Sequence, residues 1–203
     1  MCSSDLPLWL EDRGLDPATI GLVIATPAVV RIFVTPLVAH QADRYRALKA
    51  ALAIGAIAGL LAMTAVGLVR GALAIMIAFT LAMAALSPML SLSDAYAVNG
   101  LGVRGRAYGP VRLWGSVAFI GGNVGAGLIL EAVAPGYLIW LIVASLVVVA
   151  IAALALDPLE PAGEATAAPA PKSSPAILLR NPVFIAVALA SSMVQGSHAL
   201  YYG

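Results

Sequence analysis

The sequence predicts an all-α membrane protein in which a six-helix transmembrane bundle is followed by a seventh helix. Of its 203 residues, 62% are hydrophobic and 10% are charged, whereas a soluble domain carries about 25% charged residues. Apolar stretches of about 20 residues recur along the chain, and each can cross a hydrocarbon core roughly 30 Å thick. This composition excludes an ordinary soluble globular domain.

Six long apolar stretches follow one another, and a shorter one precedes them. The long stretches occupy residues 18–40, 50–69, 72–93, 111–130, 137–156 and 183–203. Residues 6–10 are apolar but too short to cross a membrane, and they break into a polar Glu-Asp-Arg-Gly sequence. We therefore interpret 1–156 as a first bundle with a truncated first helix, and 182–203 as the truncated first helix of a second bundle.

Residues 157–181 separate these two parts and have the composition of a linker. They combine five prolines with Ala, Gly, Glu and Ser. Such a segment cannot bury enough apolar surface to fold and tends to be extended. Two six-helix halves joined by a polar linker are the predicted layout.

The basic residues are distributed unequally between the two sides of the predicted bundle. If alternate loops lie on opposite sides, Arg13 and Arg70 share one side, and the other side holds Arg44, Arg46, Lys49, Arg104, Arg106, Lys172 and Arg180. The positive-inside rule then makes loops 43–49, 99–107 and 157–181 cytoplasmic. We expect a multi-pass protein of the cell's inner (plasma) membrane.

Two opposite charges at the ends of neighbouring apolar stretches predict a solute pathway. Asp94 closes one stretch and Arg112 opens the next, with the short connection 99–108 between them. In an antiparallel hairpin this spacing puts both at matching depth. A charge near a bilayer centre costs roughly 2.5 to 3.5 kcal/mol and normally faces a bundle interior or a water-filled path. The alternative is a structural salt bridge, or side chains that reach the headgroups.

Other polar side chains extend this candidate site. Ser87, Ser91 and Asp94 recur at steps of four and three, which places them on one helix face. Arg112 offers a rigid fork of donors for a carboxylate or vicinal hydroxyls. Trp114 supplies either a stacking surface for the solute or a packing contact with a neighbouring helix.

A second polar line lies in the stretch 183–203. Ser191, Gln195, His198 and Tyr202 recur at helical spacing and so share a face. The pKa of a histidine near 6.5 permits a proton-relay role. We expect Gln195, His198 and Tyr202 to line the substrate or proton pathway, although a histidine among apolar residues is often a core residue.

The remaining charged residues give weaker indications. Arg31 lies near the middle of its apolar stretch, and its partner would be a substrate anion, Asp94, or carbonyls released by Pro27. His40 and Asp43 are three residues apart, but two ligands do not make a metal site. With no nucleotide loop, nucleophile triad or metal cluster in the sequence, we expect no enzymatic activity, cofactor, metal or nucleic acid.

Glycine and proline predict how the helices pack and bend. Gly121 and Gly125 form a GxxxG step in the most glycine-rich stretch, which favours close helix contact there. Pro27, Pro36 and Pro88 remove backbone donors and should bend their helices.

Several motifs resemble the major facilitator superfamily, most closely its oligosaccharide, phenylpropionate and nucleoside proton-symporter branch, which is lactose-permease-like. Ala39-x-x-x-Asp43-Arg44 is similar to the loop after the second helix of that superfamily. The segments 87–94, 108–116 and 195–203 look like the fourth, fifth and seventh helices of the phenylpropionate permease group. The resemblance implies two six-helix bundles around a central cavity, with alternating access. It also implies that Asp94 and Arg112 correspond to the acid and arginine that bind sugar in this branch.

These observations predict a secondary active transporter that takes up a small organic solute with protons: a sugar, an aromatic acid or a nucleoside. Asp43 and Arg44 would help to close the cytoplasmic side. The expected partners are the solute, the proton, the lipid bilayer and the missing C-terminal half of the same chain. The alternatives are a proton-driven exporter of amphiphilic compounds and a membrane scaffold that transports nothing.

Overall fold

The computed structural model describes residues 5–45, 47–132 and 135–159, with isolated helical positions at 182, 185, 186, 189, 190 and 193. The chain forms two compact units, which are essentially residues 3–161 and 162–203. The first unit contains all the helices whose bounds are given below. The predicted linker lies outside the described residues from position 160 onward.

Seven α-helices make up the described part of the first unit, and no strand occurs there. They are α1 (Asp5–Asp12), α2 (Pro17–Arg44), α3 (Leu48–Leu68), α4 (Ala72–Leu86), α5 (Met89–Val103), α6 (Gly109–Ala132) and α7 (Leu138–Ala155), with a 3-10 turn at Pro135–Tyr137 before α7. The predicted all-α membrane fold is confirmed.

Four helices in the described residues are long and apolar enough to cross a membrane. They are α2, α3, the nearly continuous Ala72–Gly102 and α7. These match the predicted stretches 18–40, 50–69, 72–93 and 137–156. The stretch 111–130 is also helical, since α6 has 24 residues, and the short stretch 6–10 lies within α1.

The main difference from the prediction is the length of α5. This helix continues to Val103, so the connection to α6 is residues 104–108 and not 99–108. Asn99, Gly100 and Gly102 are weak helix formers and suggested a loop. A β-carbon at Gly100 would lie 3.1 Å from the Leu159 side chain, so the segment after α7 packs closely on this last part of α5.

Helix α3 is the centre of the bundle and packs against α4, α5 and α7. Its buried residues recur every three or four positions, which forms one stripe along the helix. They are Leu48, Leu52, Ala56, Gly59, Met63, Val66 and Gly67. Three of the seven, Ala56, Gly59 and Gly67, are small, and small residues let helix backbones approach closely in a membrane.

The closest of these contacts is at Gly59. A β-carbon there would collide with the Leu86 side chain, lying 2.7 Å from its Cγ. At Gly55 a β-carbon would lie 3.0 Å from Met89 Sδ and 3.2 Å from the Ala85 carbonyl oxygen. By contrast, no described atom comes within 4 Å of such a carbon at Gly121 or Gly125. The glycines that bring described helices together are therefore in α3, and not in α6 as the sequence indicated.

Pro88 interrupts the span between α4 and α5 without leaving a polar group unpaired. Proline has no N–H to bond the carbonyl four residues earlier, which here belongs to Ala84. The Ser87 hydroxyl donates to that carbonyl at 3.4 Å, and the Thr35 hydroxyl of α2 donates to Ser87 Oγ at 3.4 Å. Pro27 and Pro36 lie inside α2, which is assigned as a single helix through both.

The connection between α1 and α2 is fastened to the end of α3 by Arg13. Its guanidinium donates to the carbonyls of Gly67 at 3.1 Å and Val69 at 3.3 Å. It also lies over the ring of the fully buried Trp9, 4.6 Å from the centroid. The last carbonyls of a helix have no partner within it, so Arg13 caps α3 with a charge that suits the helix dipole.

The two ends of the bundle differ in charge as the sequence predicted. At one end, named the basic end, Ala42, Leu48 and Leu92 form a core cluster with Leu156 and Leu159 against it. Arg44 and Lys49 lie beside this cluster in the chain. Arg13 and Arg70 are at the opposite end, where α3 stops. That the basic end faces the cytoplasm stays a prediction.

The side chains on the outside of the bundle are largely apolar. Leu22, Phe33, Ile54, Leu81 and Ile151 are each more than half exposed, and no polar or charged side chain is buried among the described residues. Soluble monomers rarely expose such continuous apolar surface. A lipid bilayer is the solvent that this surface fits.

The contact at Gly59 predicts a large effect of substitution. In the full-length protein, Gly59→Leu must displace Leu86, and overpacking of this kind typically costs about 1 to 3 kcal/mol. Gly21→Leu is the matched control, because no described atom lies within 4 Å of a β-carbon there. Thermal unfolding in detergent should show a lower melting temperature for Gly59→Leu alone. Equal melting temperatures for both variants would contradict this account of the packing.

Candidate functional site

Asp94 lies within α5 and is held by a tyrosine from the following connection. The Tyr108 hydroxyl donates to Asp94 Oδ1 at 2.6 Å, the length of a strong charge-assisted hydrogen bond. Both side chains are half-buried. Asp94 lies about 13 Å from the end of α5 at 1.5 Å per residue, so the Tyr108 side chain reaches back along α5 to this carboxylate.

Arg112 lies in the first turn of α6, where its N–H bonds the Tyr108 carbonyl at 3.1 Å. The expectation that Asp94 and Arg112 meet needs a correction, because Tyr108 takes the position beside the carboxylate. Arg112 lies one turn beyond Tyr108, and its Nη1 is 3.7 Å from where a β-carbon of Gly115 would be. Its guanidinium makes no ion pair or hydrogen bond with the described residues.

The three groups nevertheless form one electrostatic cluster. The hydrogen bond to Asp94 raises the pKa of Tyr108 above its ordinary value of 10.0, helped by partial desolvation and the carboxylate charge, while the Arg112 charge lowers it in part. The Asp94 carboxylate, the Tyr108 hydroxyl and the Arg112 guanidinium can thus bind an acceptor and a donor of one small molecule.

The other predicted residues near this cluster are placed as follows. Ser91 is exposed on α5, one turn before Asp94. Trp114 is 73% exposed on α6, and the described side chains of α6 from Gly109 to Gly122 are all exposed. Trp114 therefore has an exposed ring in the described part of the chain, and its two interpretations, stacking on the solute and helix packing, both stay predictions.

Charged residues of α2 lie apart from this cluster. Arg31 is exposed, and the described contacts pair it neither with Asp94 nor with a backbone carbonyl. Asp43 and Arg44 lie in the last turn of α2, with the Arg44 guanidinium 5.9 Å from the Tyr45 ring centroid. Among the described residues, no group of His, Cys, Asp and Glu could hold a metal ion.

Gln195, His198 and Tyr202 lie outside the described residues, so the structure does not test whether they line the substrate or proton pathway. These roles stay predictions.

Comparisons with known proteins agree with this architecture. The family model described as the MFS_1 like family matches residues 6–203. The chain belongs to the major facilitator superfamily. A relative named "Probable 3-phenylpropionic acid transporter", from Escherichia coli (strain K12), is 30% identical over 201 residues, which cover 97% of this chain and 52% of that protein.

A second relative is named "Maltose permease", from Geobacillus stearothermophilus. It is 32% identical over 114 residues, which cover 54% of this chain and 28% of that protein. The chain thus spans about half the length of the first relative and less of the second. Both names describe membrane transport and not an enzymatic reaction. No solved structure gives a significant match.

Tyr108 is the site residue that sequence reasoning missed. It stands before Gly109-Pro110 in a segment that looked like the end of a loop. The available signal was a phenol close in sequence to an isolated carboxylate. That signal becomes specific only once α5 is known to continue past residue 99 and the connection to turn back along it.

The Tyr108 bond predicts an alkaline titration. Because its folded pKa is raised, the bond contributes stability below pH 10 that is lost as the pH rises through the raised pKa. The absorbance at 295 nm of wild type minus Tyr108→Phe should show a phenol that ionises above pH 10. When both proteins also carry Asp94→Asn, the difference in absorbance should show that the Tyr108 phenol ionises at lower pH. An unchanged midpoint in that background would contradict the bond.

Proposed function

We propose that the full-length protein is a secondary active transporter that takes up a small organic solute together with protons, by alternating access. The observation that carries this proposal is the cluster of Asp94, Tyr108 and Arg112, on adjoining helices of a chain from a transporter family. Among the described residues the Arg112 guanidinium has no partner, so its donors are available to a solute.

The chemistry of the cluster favours an aromatic carboxylate as the solute. Arg112 can bind a carboxylate with two parallel hydrogen bonds. Trp114 lies two residues later, about 200° around α6, so the two side chains do not point at one ligand directly. The relative that covers nearly the whole chain is named for such an acid. Sugars and nucleosides are the competing classes, since Asp94 and Ser91 accept from hydroxyls and another relative is named for maltose.

Asp94 is also the proposed link between solute and proton. As a carboxylate it accepts the Tyr108 hydroxyl strongly, and protonation would weaken that bond because the acceptor loses its charge. Coupling requires the proton and the solute to bind the inward and outward states with different affinities. Gln195, His198 and Tyr202 are proposed to line the substrate or proton pathway.

The remaining charged residues of α2 complete the proposal. Asp43 and Arg44, at the basic end, help to close the transport pathway on the cytoplasmic side of the inner membrane. Arg31 remains an intramembrane charge without an assigned role.

Uptake measurements test the direction and the coupling. Cells that express the full-length protein should accumulate a radiolabelled phenyl-substituted carboxylic acid, and a protonophore should abolish accumulation above the external concentration. Accumulation that survives the protonophore would exclude proton symport. Faster loss of preloaded amphiphilic compounds, with no uptake, would favour export instead.

The role of Arg112 is tested by a conservative substitution. Arg112→Lys keeps the positive charge but cannot make two parallel hydrogen bonds to a carboxylate. Because one charge-assisted hydrogen bond is lost, we expect KM for the carboxylate to rise about tenfold. Arg104→Lys is the matched control, since Arg104 is exposed and ends α5 away from the cluster. If both variants keep the wild-type KM, Arg112 does not bind the solute.

A further inference from the structure

The two basic residues at the opposite end of the bundle meet in one cavity. Arg13 precedes α2 and Arg70 follows α3. Both lie on the side of the bundle that the sequence predicts to carry few basic residues. The structure brings them to a cavity of about 370 Å³ that Gly71 and Ile75 also line. Two like charges at one cavity repel each other, and an anion bound between them would relieve that repulsion.

Arg13 is held rigidly toward this cavity. Two of its donors are used by the carbonyls of Gly67 and Val69, and the Trp9 ring supports one face of its guanidinium. A guanidinium has five N–H donors and no acceptor. Donors therefore remain for a ligand, and the group loses little conformational freedom when it binds one.

Arg70 has no partner among the described residues. It is exposed, and no described carboxylate lies within ion-pair distance of either arginine. Asp16, in the same connection as Arg13, accepts the Thr19 hydroxyl at 2.6 Å and the Thr19 N–H at 3.1 Å, and it makes no ion pair with either arginine. The two arginines of this cavity therefore have no ion-pair partner among the described residues.

The beginning of α4 adds further positive potential. The helix starts at Ala72 directly after Gly71, and the first N–H groups of a helix have no partner within it. These groups and the helix dipole favour an anion at this position. Because two membrane-spanning helices end and begin here, the cavity lies at the depth of the lipid headgroups.

We propose that this cavity is an anion site that binds a phosphate group through Arg13 and Arg70. The phosphate is that of an anionic lipid headgroup or free inorganic phosphate, which share this chemistry. The site is separate from the Asp94 cluster, which lies toward the basic end, and does not depend on the transported solute.

Thermal unfolding of the full-length protein in detergent tests the site. Phosphatidylglycerol, phosphatidylcholine of the same acyl chains, and inorganic phosphate at constant ionic strength are each titrated against wild type and Arg70→Gln. Loss of a charge-assisted bond should raise the half-saturating concentration of the true ligand about tenfold in Arg70→Gln. Arg104→Gln, which removes a charge from the basic end, should behave as wild type.

Comparison of the three ligands identifies the source of the phosphate. A rise in melting temperature with phosphatidylglycerol that depends on Arg70 assigns the site to a lipid headgroup. A rise with inorganic phosphate that depends on Arg70 assigns it to the free anion. If no ligand produces a shift that depends on Arg70, or if Arg104→Gln loses as much as Arg70→Gln, the proposal is wrong. Arg70 is exposed and makes no side-chain hydrogen bond or ion pair with the described residues, so we expect Arg70→Gln to fold as wild type does.

Discussion

Close approach of neighbouring helices to one face of α3 is the constraint on which the bundle depends. In a bilayer, lipid tails are as apolar as leucine, so helices associate by tight packing and not by escape from water. Gly55, Ala56 and Gly59 provide the space for it. Leu86 and Met89 pack into that space, and they stand on either side of the Ser87-Pro88 break. The packing of α3 therefore involves both sides of this break, on the span that carries Asp94.

Several polar groups in this apolar chain find partners that are distant in sequence or that replace a missing backbone bond. The Ser87 hydroxyl occupies the carbonyl that Pro88 cannot bond, Tyr96 donates to the Asp157 carbonyl at 2.6 Å, and Arg13 caps α3. Unpaired polar groups are costly where water is scarce. Arg112 and Arg70 are among the arginines that the described contacts leave unpaired, and they are the positions to which we assign ligands.

A large part of the architecture could be predicted from the chain. Length and hydropathy placed the spans of α2, α3 and α7 to within a few residues, because each must cover the same hydrocarbon thickness. Because an ionised side chain costs free energy inside a membrane, Asp94 and Arg112 could be predicted as candidates for the functional site. The end of α5 was misjudged because Gly100 and Gly102 are poor helix formers in isolation, whereas tertiary contact with Leu159 stabilises the helix there.

The sequence by itself determined that the protein is a helical membrane protein, which faces its apolar side chains to lipid and sorts its charges between two ends. These properties follow from local composition and from the thickness of the bilayer. Only the tertiary structure decided which glycines bring helices together, that Tyr108 and not Arg112 contacts Asp94, and that Arg13 and Arg70 share a cavity. Each of these depends on how far a helix continues and which neighbour it meets, and those distances are set by packing between segments far apart in the chain.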